Sequence, residues 1–159
     1  MTTFELDDLD RRLLDLLQAD ARYTAIELAE RLGVSDNTIH NRMERLEDVG
    51  VVEGYRAVVD HERAGFDLTF TFTCTTRINR RSDIAEQILD IPEVIAVTEL
   101  MTGQQNVIVR AVGREDSDIT GVAEQVDELD VEINDENLVR EIHTDPLGYE
   151  QIGPPPDED

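Results

Sequence analysis

The stretch 33–50, GVSDNTIHNRMERLEDVG, gathers side chains that can read DNA. Asn37, His40 and Asn41 carry amides and an imidazole suited to base edges, and an Asn paired bidentately with adenine would be the most informative contact. Ser35, Thr38, Arg42 and Arg45 carry hydroxyls and guanidiniums suited to phosphates. A blander chemistry competes. Arg42 and Arg45 can pair along their own helix with Glu44, Glu47 or Asp48, worth only ~0.3–0.5 kcal/mol each. His40 can simply be solvated. No other constellation stands out. His40, His61 and His143 lack metal-ligand spacing, and no Ser/His/Asp set is identifiable. A single Cys74 permits neither an intrachain disulfide nor a Cys-based zinc site. No catalytic residue, metal or cofactor is expected.

Those side chains need a helix, and the local signals supply one. Ser35 is a good N-cap, Ile39, Met43 and Leu46 form one apolar stripe continued by Val49, and Gly50 is a natural stop. Thr24-Ala25-Ile26-Glu27 is a capping box for a preceding helix with Leu28, Ala29 and Leu32 inward. The short link Gly33-Val34-Ser35 makes the two a helix-turn-helix, although an αα-hairpin inside a helical core shares this spacing. Leu6, Leu9, Leu13, Leu16 and Leu17 predict a first helix over about 7–19 after a frayed start at 1–5. Gly-punctuated, β-branched residues 50–60 predict a strand or wing that closes the first domain.

Residues 61–67 are a polar linker, after which the period changes. Thr69, Thr71, Thr73 and Thr75 alternate with Phe70, Phe72 and Cys74, the pattern of a strand with one buried face. Cys74 is read as a small core residue and not a reactive thiol. Residues 82–90 predict a helix with Ile84, Ala85, Ile88 and Leu89 inward, ended by Pro92. Strands at 94–100 and 106–112, a helix on Ile119, Val122, Ala123 and Val126, and an extended 131–143 complete the order β-α-β-β-α-β. The fold class is therefore α+β. An N-terminal (winged) helix-turn-helix domain, 1–60, precedes a ferredoxin-like βαββαβ domain, 68–144. Both helices on one face leave the other face of the sheet open, which predicts a dimer. The acidic, Pro-rich tail 145–159 reads as disordered.

Composition sets the chemical setting. The 159 residues carry 14 basic side chains, all Arg, against 37 acidic ones, for a net charge of −23. A DNA binder at ordinary salt would show a basic footprint. The acidity runs along the whole chain and not only through a tail, as in proteins adapted to very high salt, where self-repulsion is screened within ~3 Å at 1 M. Residues 1–60 hold 7 Arg against 14 acids, and the remainder 7 against 23, so the DNA-reading half is the less acidic. No apolar run approaches the ~20 residues of a membrane span. The start, MTTFELDDLD, lacks a signal peptide's pattern. A cytoplasmic protein without a membrane partner is expected.

Several strings together resemble the Lrp/AsnC (feast/famine) family of transcriptional regulators. They are Leu9-Asp10-Arg11-Arg12-Leu13-Leu14, Leu17 to Arg22, Glu27-Leu28-Ala29 with Gly33-Val34-Ser35, Thr38 to Glu47, Gly50 to Tyr55, Pro92-Glu93-Val94 and Thr102-Gly103. The resemblance spans about 6–144, with an acidic composition of the haloarchaeal, halophilic type. It implies a regulator of double-stranded DNA that forms a homodimer through the βαββαβ domain, often assembled further into tetramers or octamers. It also implies a small effector, commonly an amino acid, at the turn Met101, Thr102, Gly103, Gln104, Gln105 and Asn106. The chain departs from the family at Asn106, where an acidic residue is usual. That change removes an acceptor for an effector's ammonium, and an ordinary polar β-turn is the alternative reading.

Two rivals to a sequence-specific regulator remain at this stage. A nucleoid-type architectural protein would share fold and oligomer, but its binding is almost wholly electrostatic, which the acidic chain opposes. A siroheme-decarboxylase-like enzyme would need Arg-rich sequence where this chain has Val52-Glu53-Gly54-Tyr55-Arg56.

Overall fold

The computed structural model describes residues 4–155; residues 1–3 and 156–159, the outer parts of the expected frayed start and tail, lie outside the described residues. Two compact units form. The first holds the described residues up to Ala57 together with those from His143, and the second is Val58–Ile142.

In the first unit, helix α1 spans Asp8–Ala19, α2 Ala25–Leu32 and α3 Asp36–Asp48. Each begins on a side-chain cap that satisfies an orphan backbone N–H. Asp7 and Asp10 form a capping box on α1, Thr24 and Glu27 one on α2, and Ser35 accepts the Thr38 N–H on α3. Gly33 ends α2 at φ 71°, a left-handed conformation that costs glycine nothing and lets α3 follow after two residues. Leu13, Leu17, Leu28, Leu32, Ile39 and Leu46 meet in one aliphatic core. Full burial of such a side chain stabilises by about 1.5–3 kcal/mol. Met43 lines this core as expected, but Val49 is exposed.

Two expectations for this unit are corrected. Residues 50–60, expected as a strand or wing, form no strand, and Val58 is fully exposed. β-branched composition sets a preference for extended backbone, but a strand also needs a neighbour to bond, and none lies alongside. The described part of the tail includes a short helix. Helix α6, Tyr149–Ile152, is seated on α1. The Asp15 carboxylate accepts the N–H groups of Tyr149 and Glu150 at 2.8 and 3.0 Å, and Gln18 donates to Leu147 O at 2.9 Å. Tyr149 packs against the aliphatic core. Composition made the segment look disordered because its few anchoring residues are scattered among Gly, Pro and acids. The boundaries shift accordingly, with 58–67 in the second unit and 143–155 in the first.

The second unit has strands β1 (Leu68–Thr75), β2 (Val94–Glu99), β3 (Val107–Gly113) and β4 (Glu132–Val139), with helices α4 (Arg81–Leu89) and α5 (Asp116–Asp127). The sheet order β2-β3-β1-β4 is antiparallel throughout, the ferredoxin-like arrangement. Phe70 and Phe72 meet edge to face at 5.2 Å and share one core with Ile84 and Ile88 of α4 and Val122 and Val126 of α5. Both helices therefore cover the same face. Cys74 lies in that core, and burial pushes its thiol up to about 11, which disfavours the thiolate. Leu89, expected inward, is half exposed, and Ile91 just beyond the helix fills the core instead. The other face presents Thr69, Thr71 and Thr73 opposite Val112, Arg110 and Ile108. Arg110 Nε is buried there without a hydrogen-bond partner.

Candidate nucleic-acid interface

Helix α3 has two polar stripes, and they differ in what they do. Asn37, His40, Asn41 and Glu44 follow at i, i+3, i+4 and i+7, so they share one side of the helix, and all are exposed. Arg42 and Arg45 share another side, turned toward α1.

The second stripe is already engaged. Arg42 Nη1 donates to Asp7 Oδ2 and, at 3.0 Å, to Asp10 Oδ1. Arg45 Nη2 donates to Asp10 Oδ2 at 2.6 Å, and its guanidinium lies 4.9 Å from the centre of the Phe4 ring. The Asp10 side chain is wholly buried, while those of Arg42 and Arg45 keep 26% and 44% of their exposure. Two carboxylates and two guanidiniums thus balance. Burial raises the Asp7 carboxyl, but hydrogen bonds from the Arg42 guanidinium and the Asp10 N–H outweigh it and hold it below its ordinary value. The bond to Asp7 first, then against burial the bond to the Asp10 carboxylate and the charges of both acids, raise the Arg42 guanidinium. The partners expected along the helix, Glu44, Glu47 and Asp48, are not the ones used. Glu47 instead accepts the Tyr55 hydroxyl at 2.9 Å; burial and this bond push Tyr55 up to about 12.

At the start of α3, Ser35 Oγ lies 2.9 Å from Thr38 Oγ1 and accepts the Thr38 N–H at 3.1 Å. Asp36 accepts the Asn37 N–H at 2.9 Å, which puts a carboxylate near the helix end that would otherwise attract phosphate. Asp7 and Asp10 are partners of α3 that reading the chain missed. The i, i+3 acids were visible as a helix start, but nothing local shows that they also reach α3.

The second predicted site divides similarly. Gly103 and Gln104 line a cleft of about 780 Å³, with Arg77 and the carboxylates of Asp127, Asp130 and Glu132. Met101 is almost fully exposed, Thr102 Oγ1 donates to Gln104 O at 2.9 Å, and the Gln105 N–H donates to Thr75 Oγ1 at 2.8 Å. Asn106 is corrected from ligand to scaffold. It is wholly buried, its Oδ1 accepts the Thr76 N–H at 3.0 Å and its Nδ2 donates to Thr76 O at 2.9 Å. Its side chain is closed off from solvent, so an effector in the cleft does not reach it.

A capped, outward-facing second helix in a helix-turn-helix, in one chain with a ferredoxin-like unit, is the arrangement of a DNA-binding regulator. The family described as winged helix-turn-helix DNA-binding matches residues 6–53. An uncharacterized HTH-type transcriptional regulator of Pyrococcus furiosus is 33% identical over 79% of this chain and 84% of its own length. The solved leucine response regulatory protein of Mycobacterium tuberculosis superposes with a TM-score of 0.76 at 25% identity, over 88% of this chain and 96% of that one. A transcriptional regulator of Neisseria meningitidis, solved as an L-Met complex, gives 0.73 at 25% identity over 89% and 96%. The chain belongs to the Lrp/AsnC family of HTH-type transcriptional regulators. Among the described residues, no helix is long and apolar enough to cross a membrane, and no group of His, Cys, Asp or Glu could hold a metal ion.

Proposed function

We propose that this protein is a sequence-specific transcriptional regulator, working in the cytoplasm at high salt, that reads the major groove with Asn37, His40 and Asn41. The observation that carries this is the exposed stripe on α3, whose capped start and buried apolar side hold it rigidly outward. Ser35 and Thr38 at the start of the helix approach the phosphates. The protein acts as a homodimer built on the open face of the βαββαβ unit, which puts two α3 helices at half-sites about 34 Å apart or a multiple of it. The threonine-lined face of the sheet that neither α4 nor α5 covers supports that reading.

The effector in this reading is an amino acid, L-Met being present in the complex of the Neisseria relative, and its site is the cleft beside Gly103 and Gln104. Asp127, Asp130 and Glu132 stand in for the acid that position 106 lacks and receive the ammonium; Arg77 receives the carboxylate. Genome-wide DNA occupancy, with and without amino acids, tests the whole reading. A few protected promoters that change with an amino acid are expected. Broad coverage without preferred sites would favour the architectural alternative.

A further inference from the structure

We propose that Asp10, seconded by Asp7, is a positioning residue of the recognition helix that turns Arg42 and Arg45 into internal counter-ions instead of phosphate ligands. This rests on the DNA-binding reading above. Asp10 is wholly buried, and both of its oxygens are occupied, Oδ1 by Arg42 and Oδ2 by Arg45 and the Asp7 N–H. If either arginine swung out to a phosphate, it would strip a buried carboxylate of a partner. The phosphates would have to outbid an acceptor already in place, and in concentrated salt they are the weaker bidders. The bracing also sets the angle of α3, since α1 grips it at two positions one turn apart. What α3 then offers the duplex is the polar set Asn37, His40 and Asn41, with Glu44 beside them and no guanidinium among them. An acidic protein of net charge −23 gains by this, because its affinity no longer depends on ion release, the contribution that concentrated salt removes.

The experiment measures duplex affinity of the full-length protein against KCl concentration, from dilute to multimolar, first on a random-sequence duplex pool and then on sequences enriched from it. Each arginine that enters or leaves phosphate contact changes the slope of log K against log salt by about 0.9, or roughly eightfold in affinity per decade of salt. Wild type is expected to have a shallow slope. Arg42→Gln and Arg45→Gln are expected to weaken binding by a similar factor at every salt concentration, leaving the slope unchanged. Asp7→Asn keeps a good N-cap but removes one of Arg42's two acceptors, and is expected to steepen the slope and tighten binding in dilute salt. Asp10→Asn should do so more strongly, and Asp10→Asn combined with both Arg42→Gln and Arg45→Gln should restore the wild-type slope, a rescue that a merely structural role would not produce. Should Asp10→Asn fail to fold by circular dichroism, Asp7→Asn and Arg42→Gln still decide. A wild-type slope that flattens by about 0.9 in Arg42→Gln or Arg45→Gln would overturn the proposal and leave the regulator reading intact. A wild type that binds no duplex at any salt concentration removes both.

Discussion

Each unit of the protein contains one wholly buried polar side chain that ties distant segments together, and the two do so by different chemistry. Asp10 braces α1 against α3 with charge, through Arg42 and Arg45. Asn106 braces the start of β3 against the residues after β1 without charge, by accepting from Thr76 N–H and donating to Thr76 O. The amide clamp is complete within a few ångströms and is indifferent to salt and acid. The charged clamp joins a buried acid to half-exposed arginines, so it is asymmetric. Its acid end has no recourse to water, while its basic ends do.

The largest expected effect exploits that asymmetry. Arg42→Gln with Arg45→Gln leaves Asp10 a buried charge without a cationic partner and should cost about 3–5 kcal/mol. Asp10→Ala should cost less, because the two guanidiniums can turn to solvent. Amide hydrogen exchange in α1 and α3 separates the two cases, and equal losses would mean the arginines are as trapped as the acid. Next in size is Asn106→Asp, which restores the carboxylate usual in the family. It keeps an acceptor for Thr76 N–H but cannot donate to Thr76 O, and should destabilise the second unit by about 1–3 kcal/mol. Calorimetry reads the loss, and an unchanged or raised melting temperature would show that the position tolerates an acid.

Smaller effects follow. Asp15→Ala removes the acceptor of two backbone N–H groups at the start of α6 and should cost about 1–2 kcal/mol, read as faster proteolysis after Thr144. Acid should weaken only the charged clamp. The Asp7 carboxyl is held below its ordinary value of 3.8 when folded, so its contribution is present above that value. It is lost as pH falls further, through the folded value. Exchange protection in α3 should therefore drop in strong acid before that of the Thr76 amide; simultaneous loss would mean the units melt together.

Much of the fold was legible in the sequence. Thr24 and Glu27, Ser35 and Gly33 mark their helix ends through partners three residues away or through one residue's own φ. Phe70, Phe72 and Cys74 disclose their face through a period of two. The exposed stripe of Asn37, His40 and Asn41 follows from helical spacing once Ile39 and Leu46 are assigned inward. The candidate site was legible only to that point. Arg42 and Arg45 read as phosphate ligands, Asn106 as an effector ligand and the tail as disordered.

What the sequence by itself determined about this protein is whatever depends on neighbours within one helical turn or one strand repeat, namely its elements, their faces, their order and the family they resemble. Only the tertiary structure decided which polar groups are spent and which remain for a ligand. The ties that spend them join residues 32 positions apart between Arg42 and Asp10, 30 between Asn106 and Thr76, and 134 between Tyr149 and Asp15. A buried polar group must find a partner wherever packing places one, and no local pattern along the chain encodes where that will be.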